Sequence, residues 1–335
     1  MQSPFRRRPR LISSNIYAAD VAKVIDSATR RIAIVTTTLR DDDPRSQRLI
    51  DALCRAGGRG VLISVGADVF TYLEPKEFAL RSPKRQPARA YQAMKLERRL
   101  KKHGIHFRWL GRTSNVAFSG RTHSKWIIVD DTVYSFGGLN LDRESFDNTD
   151  YMLKFDDQEL ADQLFNVHNR LVSADRGGHA AKSRRLKISP EISVLIDGGL
   201  IGDSLIYRRA CALAKEASSI TLVSQYCPTG KLNRILRRKN ADVYFNHWRQ
   251  ANSVNKLLIQ FGMLFAKQRT GYTRDRYLHA KFMLFTMPDG REVALSGSHN
   301  FMFGSGFLGT REIALETTNK QIIKQLKQFL TDYVA

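Results

Sequence analysis

Two stretches far apart in the chain show the same change of pattern, a charged, Ala- and Ser-rich segment giving way to a short β-branched run. "SATRRIAIVTTT" from Ser27 and "KEASSITLVSQY" from Lys215 each read as the end of a polar helix followed by a buried strand. Each strand leads to a helix candidate: "PRSQRLIDALCRAGGRG", stopped at Gly57 and Gly58, and "PTGKLNRILRRKN". Each half then reaches a histidine, one free residue and a lysine at the head of an apolar run, "RTHSKWIIVDD" from Arg121 and "RYLHAKFMLFT" from Arg276. "WIIV" turns at Asp130 and Asp131 and returns as "TVYSFGGLN", while "FMLF" turns at Pro288, Asp289 and Gly290 and returns as "EVALSGSHN". Two hairpins are predicted, each carrying an asparagine, Asn140 or Asn300, back beside its own His-x-Lys. Side chains alternate along an extended chain, so His123 and Lys125 share one face, as do His279 and Lys281.

The repeat is unequal. Ile32 and Ile220 lie 188 positions apart, whereas His123 and His279 lie 156 apart, so the first half holds 32 additional residues. Residues 71 to 104 are their natural place, a Pro-rich loop leading into a basic helix that stops at Gly104. The aperiodic, polar stretch from 173 to 190 marks the boundary. The expected organisation is an N-terminal α/β domain over residues 1–175, a linker over 176–190 and a C-terminal α/β domain over 191–335.

Composition narrows the classes of partner. A hydrophobic fraction of 42% is that of a globular protein and speaks against disorder. The 54 Lys and Arg against 32 Asp and Glu leave a formal charge of +22, which favours an anionic partner, either nucleic acid or an acidic membrane surface. Cys54, Cys211 and Cys227 are few, odd in number and without metal-ligand spacing, so a reduced compartment without disulfides is expected. "MQSPFRRRPRL" has no apolar run of signal-peptide length behind it, and nothing approaches the ~20 apolar residues of a membrane span. Work on lipid would therefore be done from the surface, by a cytoplasmic protein peripherally associated with the inner face of the membrane.

One His-x-Lys in a basic chain carries little weight, but two, each heading a hairpin that returns a Gly-x-x-Asn, carry a great deal. Histidine can attack phosphorus and form a covalent intermediate, and a second histidine can protonate the leaving alkoxide and later deprotonate the acceptor. Lys125, Lys281, Asn140 and Asn300 supply charge and donors for phosphoryl oxygens. Such a site calls for no metal and no other cofactor.

These residues resemble the signature of the phospholipase D superfamily, H-x-K-x4-D followed by G-[GST]-x-N. The first copy meets it through His123, Lys125, Asp130, Gly137, Gly138 and Asn140. The second keeps His279, Lys281, Gly297, Ser298 and Asn300 but has Thr286 in place of the aspartate. The resemblance implies two tandem phospholipase D-like α/β/α sandwich domains related by a pseudo-twofold axis, one shared active site with His123 facing His279, and a chain that works as a monomer. It also implies an acidic residue about ten positions after each asparagine that orients a histidine, here Asp150 and Glu312. Asp130, some 17 Å of extended chain from Lys125, is expected to shape its turn and not to touch phosphate.

"GGLNLDRESFDNTDYM" is similar to the corresponding segment of bacterial cardiolipin synthases. That similarity implies a phosphatidyltransferase acting on anionic glycerophospholipids through a phosphohistidine, with a glycerol-type alcohol as acceptor. "FMFGSGFLG" after Asn300 and the basic helix "YQAMKLERRLKKHG" are candidate lipid contacts. A phospholipase D-type hydrolase and a phospholipase D-family nuclease use the same residues and stay open, the nuclease without a recognised nucleic-acid module. A non-catalytic binding protein on the same scaffold is the third reading.

Overall fold

The structure is a computed structural model that describes residues 7–72, 88–111, 120–251, 253–304 and 308–335. In the first half β1 (Arg7–Ser13) runs into α1 (Ser14–Asp26), and β2 (Arg31–Thr36) is followed by α2 (Pro44–Gly58) and β3 (Leu62–Asp68). The start of α2 is set by its sequence: Asp43 accepts from the Arg45 amide at 2.8 Å, and Pro44 occupies the first turn, where no amide hydrogen is needed. Next come α3 (Ala88–Lys102), β4 (His106–Leu110), the hairpin of β5 (Trp126–Val129) and β6 (Thr132–Ser135), then α4 (Arg143–Asp147), β7 (Tyr151–Asp156) and α5 (Gln158–Arg176). The strands form one sheet in the order β1-β7-β6-β5-β2-β3-β4, with β2, β3 and β4 parallel.

The second half begins with β8 (Arg184–Ser189) and β9 (Ile192–Gly198), followed by α6 (Leu205–Glu216), β10 (Ser219–Val223), α7 (Gly230–Arg238), β11 (Asp242–Tyr244) and α8 (Ser253–Ala266). The hairpin of β12 (Phe282–Thr286) and β13 (Glu292–Gly297), then β14 (Arg311–Thr317) and α9 (Lys320–Tyr333), complete it. Its sheet order, β8-β9-β14-β13-β12-β10-β11, places β9, β14, β13, β12, β10 and β11 where the first sheet has β1, β7, β6, β5, β2 and β3. The sequence repeat is thus a repeat of fold, two α/β units with the same strand order.

Both sheets are covered on both faces, which is why their central strands are continuous apolar runs. Ile32, Ile34, Ile127 and Val129 pack outward against α1, α2 and α3, while Ala33, Val35, Trp126 and Ile128 point inward. In the second sheet Met283 and Phe285 pack outward with α6 and α7, and Phe282 and Leu284 point inward. The inward faces, with α5 and α9, build one core shared by both halves. Gln325 of α9 accepts from the Leu11 amide at 2.7 Å and donates to the Pro9 carbonyl at 2.9 Å, so the last helix of the chain is held against its first strand.

Some elements were not foreseen. The stretch read as a linker contains β8, an edge strand whose alternating exposure explains its polar sequence. The additional residues of the first half include α3, as expected, and also β4, whose "HFRWL" lies beyond the helix stop. The Pro-rich loop falls mostly on residues 73–87, outside the described residues. Cys54, Cys211 and Cys227 are buried free thiols.

Asp130 sits at the hairpin turn with φ of 50°, and its carboxylate accepts from the amides of Thr29, Arg30 and Arg31 at 2.9 to 3.0 Å, fixing the start of β2. Thr286 is at the matching place, and there its backbone carbonyl accepts from the Ser218 amide at 2.8 Å. The missing aspartate of the second motif is therefore replaced by a main-chain acceptor. Asp130→Ala should lower stability by about 1–2 kcal/mol, read as a reduced urea midpoint at unchanged slope, and leave turnover within about twofold. A loss of turnover without loss of stability would place Asp130 in the chemistry.

Candidate active site

His123 and Lys125 immediately precede β5, and His279 and Lys281 immediately precede β12. Neither pair lies in its strand. Each lies in an extended segment held by a segment of the other half. The amides of His123 and Ser124 donate to the Arg311 carbonyl at 2.8 and 3.0 Å, and the Arg311 amide donates back to Arg121 at 2.8 Å. Equivalently, the amides of His279 and Ala280 donate to the Thr149 carbonyl at 2.9 and 3.0 Å, and the Thr149 amide donates to Tyr277 at 2.8 Å. Thr122 with Arg311 and Thr149 with Leu278 form isolated parallel bridges between the halves.

Arg311 and Thr149 each precede an acidic residue, and the bridges deliver that residue to the histidine of the opposite half. His123 Nδ1 lies 3.0 and 3.1 Å from the two carboxylate oxygens of Glu312, and His279 Nδ1 lies 2.6 Å from Asp150 Oδ2. Both carboxylates are held from behind. Asp150 accepts from the Gly138 amide at 3.2 Å and the Tyr151 amide at 2.8 Å, whereas Glu312 accepts from the Ser298 hydroxyl. A side chain at Gly138 would put its first carbon 2.4 Å from Asp150 and 2.8 Å from the His279 carbonyl, and one at Gly297 would meet the Ile313 carbonyl at 2.2 Å. Both glycines are needed for close approach.

The lysines complete each unit. Lys125 Nζ donates to the His123 carbonyl at 2.8 Å and to Thr37 Oγ1 at 2.9 Å, and Lys281 Nζ donates to the His279 carbonyl. Asn140 Oδ1 accepts from the Thr37 amide at 3.3 Å. The Asn300 backbone carbonyl accepts from Ser224 at 2.9 Å, and its buried side-chain Oδ1 has no partner among the described residues. Thr36 and Ser224 are equivalent positions of the repeat, four residues beyond Ile32 and Ile220. Carrying the repeat alignment to the strand ends would have found Thr36, Thr37 and Ser224. The cross-half pairing has no such local signal.

Burial dominates the electrostatics. It pushes the Lys281 ammonium down to about 7 and the Lys125 ammonium down to about 8, with Asp150 and Glu312 opposing the shift in both. Burial likewise lowers His279 to about 4 and lowers His123, with the two lysines adding to the effect and the paired carboxylates opposing it. Burial alone would raise Glu312 and Asp150, but His123 and its partners hold Glu312 at about 2, and His279 with Lys281 holds Asp150 below the ordinary range. Both histidine–acid pairs are therefore neutral imidazole with carboxylate near neutral pH. Each carboxylate accepts a hydrogen bond from the Nδ1–H of its histidine, which leaves each Nε2 with a free lone pair. The charge of Lys281 acts on His123 and that of Lys125 on His279, so the two motifs occupy one electrostatic site.

The structure thus brings together His123, Lys125, Asn140, Gly138 and Asp150 with His279, Lys281, Asn300, Ser298 and Glu312, and sets Asp130 apart. Among the described residues no group of three His, Cys, Asp or Glu side chains is disposed to hold a metal ion.

Asp150→Asn and Glu312→Gln should each lower kcat by about 10²–10⁴, since an amide holds the wrong tautomer. In the wild type, kcat/KM should fall as pH rises through about 7 to 8, where Lys281 and Lys125 lose the proton that carries their charge. A flat kcat/KM profile from pH 6 to 9 would show that neither lysine charge is used.

Residues 21–172 match a family model described as "Cardiolipin synthase, PLD-like domain". No curated protein sequence matches the chain. Among solved structures, phosphatidylserine synthase from Haemophilus influenzae Rd KW20 superposes with a TM-score of 0.67 at 15% identity, over 96% of this chain and 85% of that one. Polyphosphate kinase from Porphyromonas gingivalis superposes with a TM-score of 0.62 at 13% identity, over 97% of this chain and 50% of that one. At these identities the likeness is one of fold. Residues 21–172 thus carry a domain of the PLD-like type that this model describes, and the second half repeats its strand order and its His-x-Lys unit.

Proposed function

We propose that the protein transfers a phosphatidyl group from an anionic glycerophospholipid to the hydroxyl of a glycerol-type acceptor, through a phosphohistidine. The observation that carries the chemistry is the reciprocal pairing of each histidine with the carboxylate of the other half. It supplies two imidazoles with free Nε2 atoms, one to attack and one to move protons. His123 is the better placed nucleophile, because its side chain is 24% exposed and that of His279 is 10% exposed.

His123 Nε2 attacks phosphorus and the bond to the leaving glycerol oxygen breaks. His279, carrying a proton taken up with the substrate, gives it to that oxygen. The acceptor hydroxyl then attacks, its proton passes to His279, and the P–N bond breaks to free His123. Lys125 and Lys281 balance the charge that builds on the phosphoryl oxygens, in a buried setting where water screens little.

The choice of lipid rests on the description of the matched family model, on the similarity of the segment after Gly137 to cardiolipin synthases and on the charge of +22. The loop after Asn300 adds to it: Phe303 is 52% exposed and Leu308 is 37% exposed, while 305–307 lie outside the described residues. No helix among the described residues is long and apolar enough to cross a membrane. The reading is of an enzyme working at the membrane surface, held there by charge.

Labelled phosphatidylglycerol vesicles should give cardiolipin and glycerol, with phosphatidic acid a minor product, in the presence of EDTA. His123→Ala and His279→Ala should each abolish turnover, and acid-quenched His279→Ala should retain label on histidine. Phosphatidic acid alone at high glycerol would make the enzyme a hydrolase. Untouched lipid with cleaved DNA would make it a nuclease.

A further inference from the structure

The two halves differ in the helices that flank their matching strands β2 and β10. In the first half α1 and α2 meet in a closed apolar seam, with Val21 and Ile25 in the same buried cluster as Leu49 and Leu53. In the second half the counterpart of the 15-residue α2 is α7, which has only 9 residues. The missing length, roughly 9 Å of helix, leaves an open groove of about 900 Å³ between α6 and α7.

That groove is lined for an amphiphile. Arg208, Lys215, Lys231 and Arg234 stand along it against one carboxylate, Glu216. Arg208 pairs with Asp203 at 2.8 Å, but among the described residues Lys215, Lys231 and Arg234 have no ion-pair partner. Tyr207, Ala212 and Phe303 line the same groove. The Phe303 ring stands edge-on to Tyr207, 6.0 Å between centroids, and stays half exposed. Exposed apolar surface ringed by unpaired positive charge matches a ligand with an anionic head and an apolar body.

The groove is coupled to the active site through one short segment. Phe303 follows Asn300 by three residues, and its amide donates to Thr229 Oγ1 at 3.0 Å, directly before α7. Tyr207 Oη donates to the Thr229 carbonyl at 2.8 Å and accepts from the Leu232 amide at 3.1 Å, tying α6 to the same corner.

We propose that the α6–α7 groove binds one anionic phospholipid of the bilayer as a docking lipid distinct from the substrate. Its phosphate lies on Lys231 and Arg234 and its glycerol and proximal acyl chain lie along Tyr207, Ala212 and Phe303. This site rests on the proposed function only in requiring that the protein meets a membrane, and it orients the Asn300 loop toward that membrane.

The test uses the full chain and phosphatidylcholine vesicles with or without phosphatidylglycerol, read by co-sedimentation, together with monomeric dihexanoyl phosphatidylglycerol, read by tryptophan fluorescence or NMR. The double variant Lys231→Glu/Arg234→Glu should weaken association with the anionic vesicles by about tenfold or more. Lys182→Glu/Lys187→Glu, the same charge change on exposed residues near and in β8, should weaken it by less than about threefold. Ala212→Trp fills the groove without altering charge and should abolish binding of the dihexanoyl lipid. Equal effects of the two double variants would overturn the site by showing a diffuse field. So would an Ala212→Trp protein that binds the monomeric lipid like wild type, or an oligonucleotide that displaces it through Lys231 and Arg234. None of these readouts involves turnover. Groove binding without lipid turnover would overturn the proposed function alone, and lipid turnover without groove binding would overturn the groove alone.

Discussion

Everything at the site depends on an exchange of backbone hydrogen bonds between the two halves. The segment before each histidine lies along the segment before the opposite acid, through Arg311 on one side and Thr149 on the other. These are short ladders, with three bonds through Arg311 and three through Thr149, yet they fix the register by which Glu312 meets His123 and Asp150 meets His279. A slip of one residue would turn each acid to the other face of its strand. Neither half alone holds an oriented histidine. The shared core beneath, with Trp126 and Phe155 from one sheet and Phe282 and Leu315 from the other, makes the exchange rigid.

The same closeness makes the site expensive to bury. Lys125 and Lys281 are almost wholly removed from solvent, and each anchors its ammonium on the carbonyl of its own histidine. Buried cations are tolerated where carboxylates and dipoles compensate them. Asp150 and Glu312 do so across the interface, and they serve the histidines at the same time. The ammonium groups sit close to losing their protons, a state that an incoming phosphate reverses by adding negative charge. The cost of burial in the empty site thus becomes affinity for a phosphodiester.

Much of this arrangement was legible in the chain. The hairpins, their turns at Asp130 and Asp289, the repeated strands through Ile32 and Ile220 and the helices after them follow from local pattern and turn chemistry, which act within a few residues. The acids followed from the family resemblance, which implies one about ten positions after each of Asn140 and Asn300. Which histidine each one meets was not, because the partners are 189 and 129 residues apart and only the packing of two whole domains brings them together. The strand β8 was hidden by its polar edge sequence, and β4 by the charged helix before it. Thr37, which bonds both Lys125 and Asn140, lies in a run of three threonines that propensity reads only as strand.

Duplication has left the two halves equal in plan and different in detail, and the differences compensate in pairs. Where the first half orients its acid with a main-chain amide at Gly138, it uses the shorter Asp150. Where the second uses the Ser298 hydroxyl, it carries the longer Glu312. Where Asp130 caps the start of β2 with a carboxylate, Thr286 serves the start of β10 with its carbonyl. Such pairs keep the geometry around phosphorus while the sequence changes. The α6–α7 pair also follows a different course, away from the imidazoles, where among the described residues no hydrogen bond or ion pair ties it to the first half. At the exchanged segments a change in the acid is matched by a change in the group that holds it, whereas a surface those hydrogen bonds do not reach is free to gain a new contact.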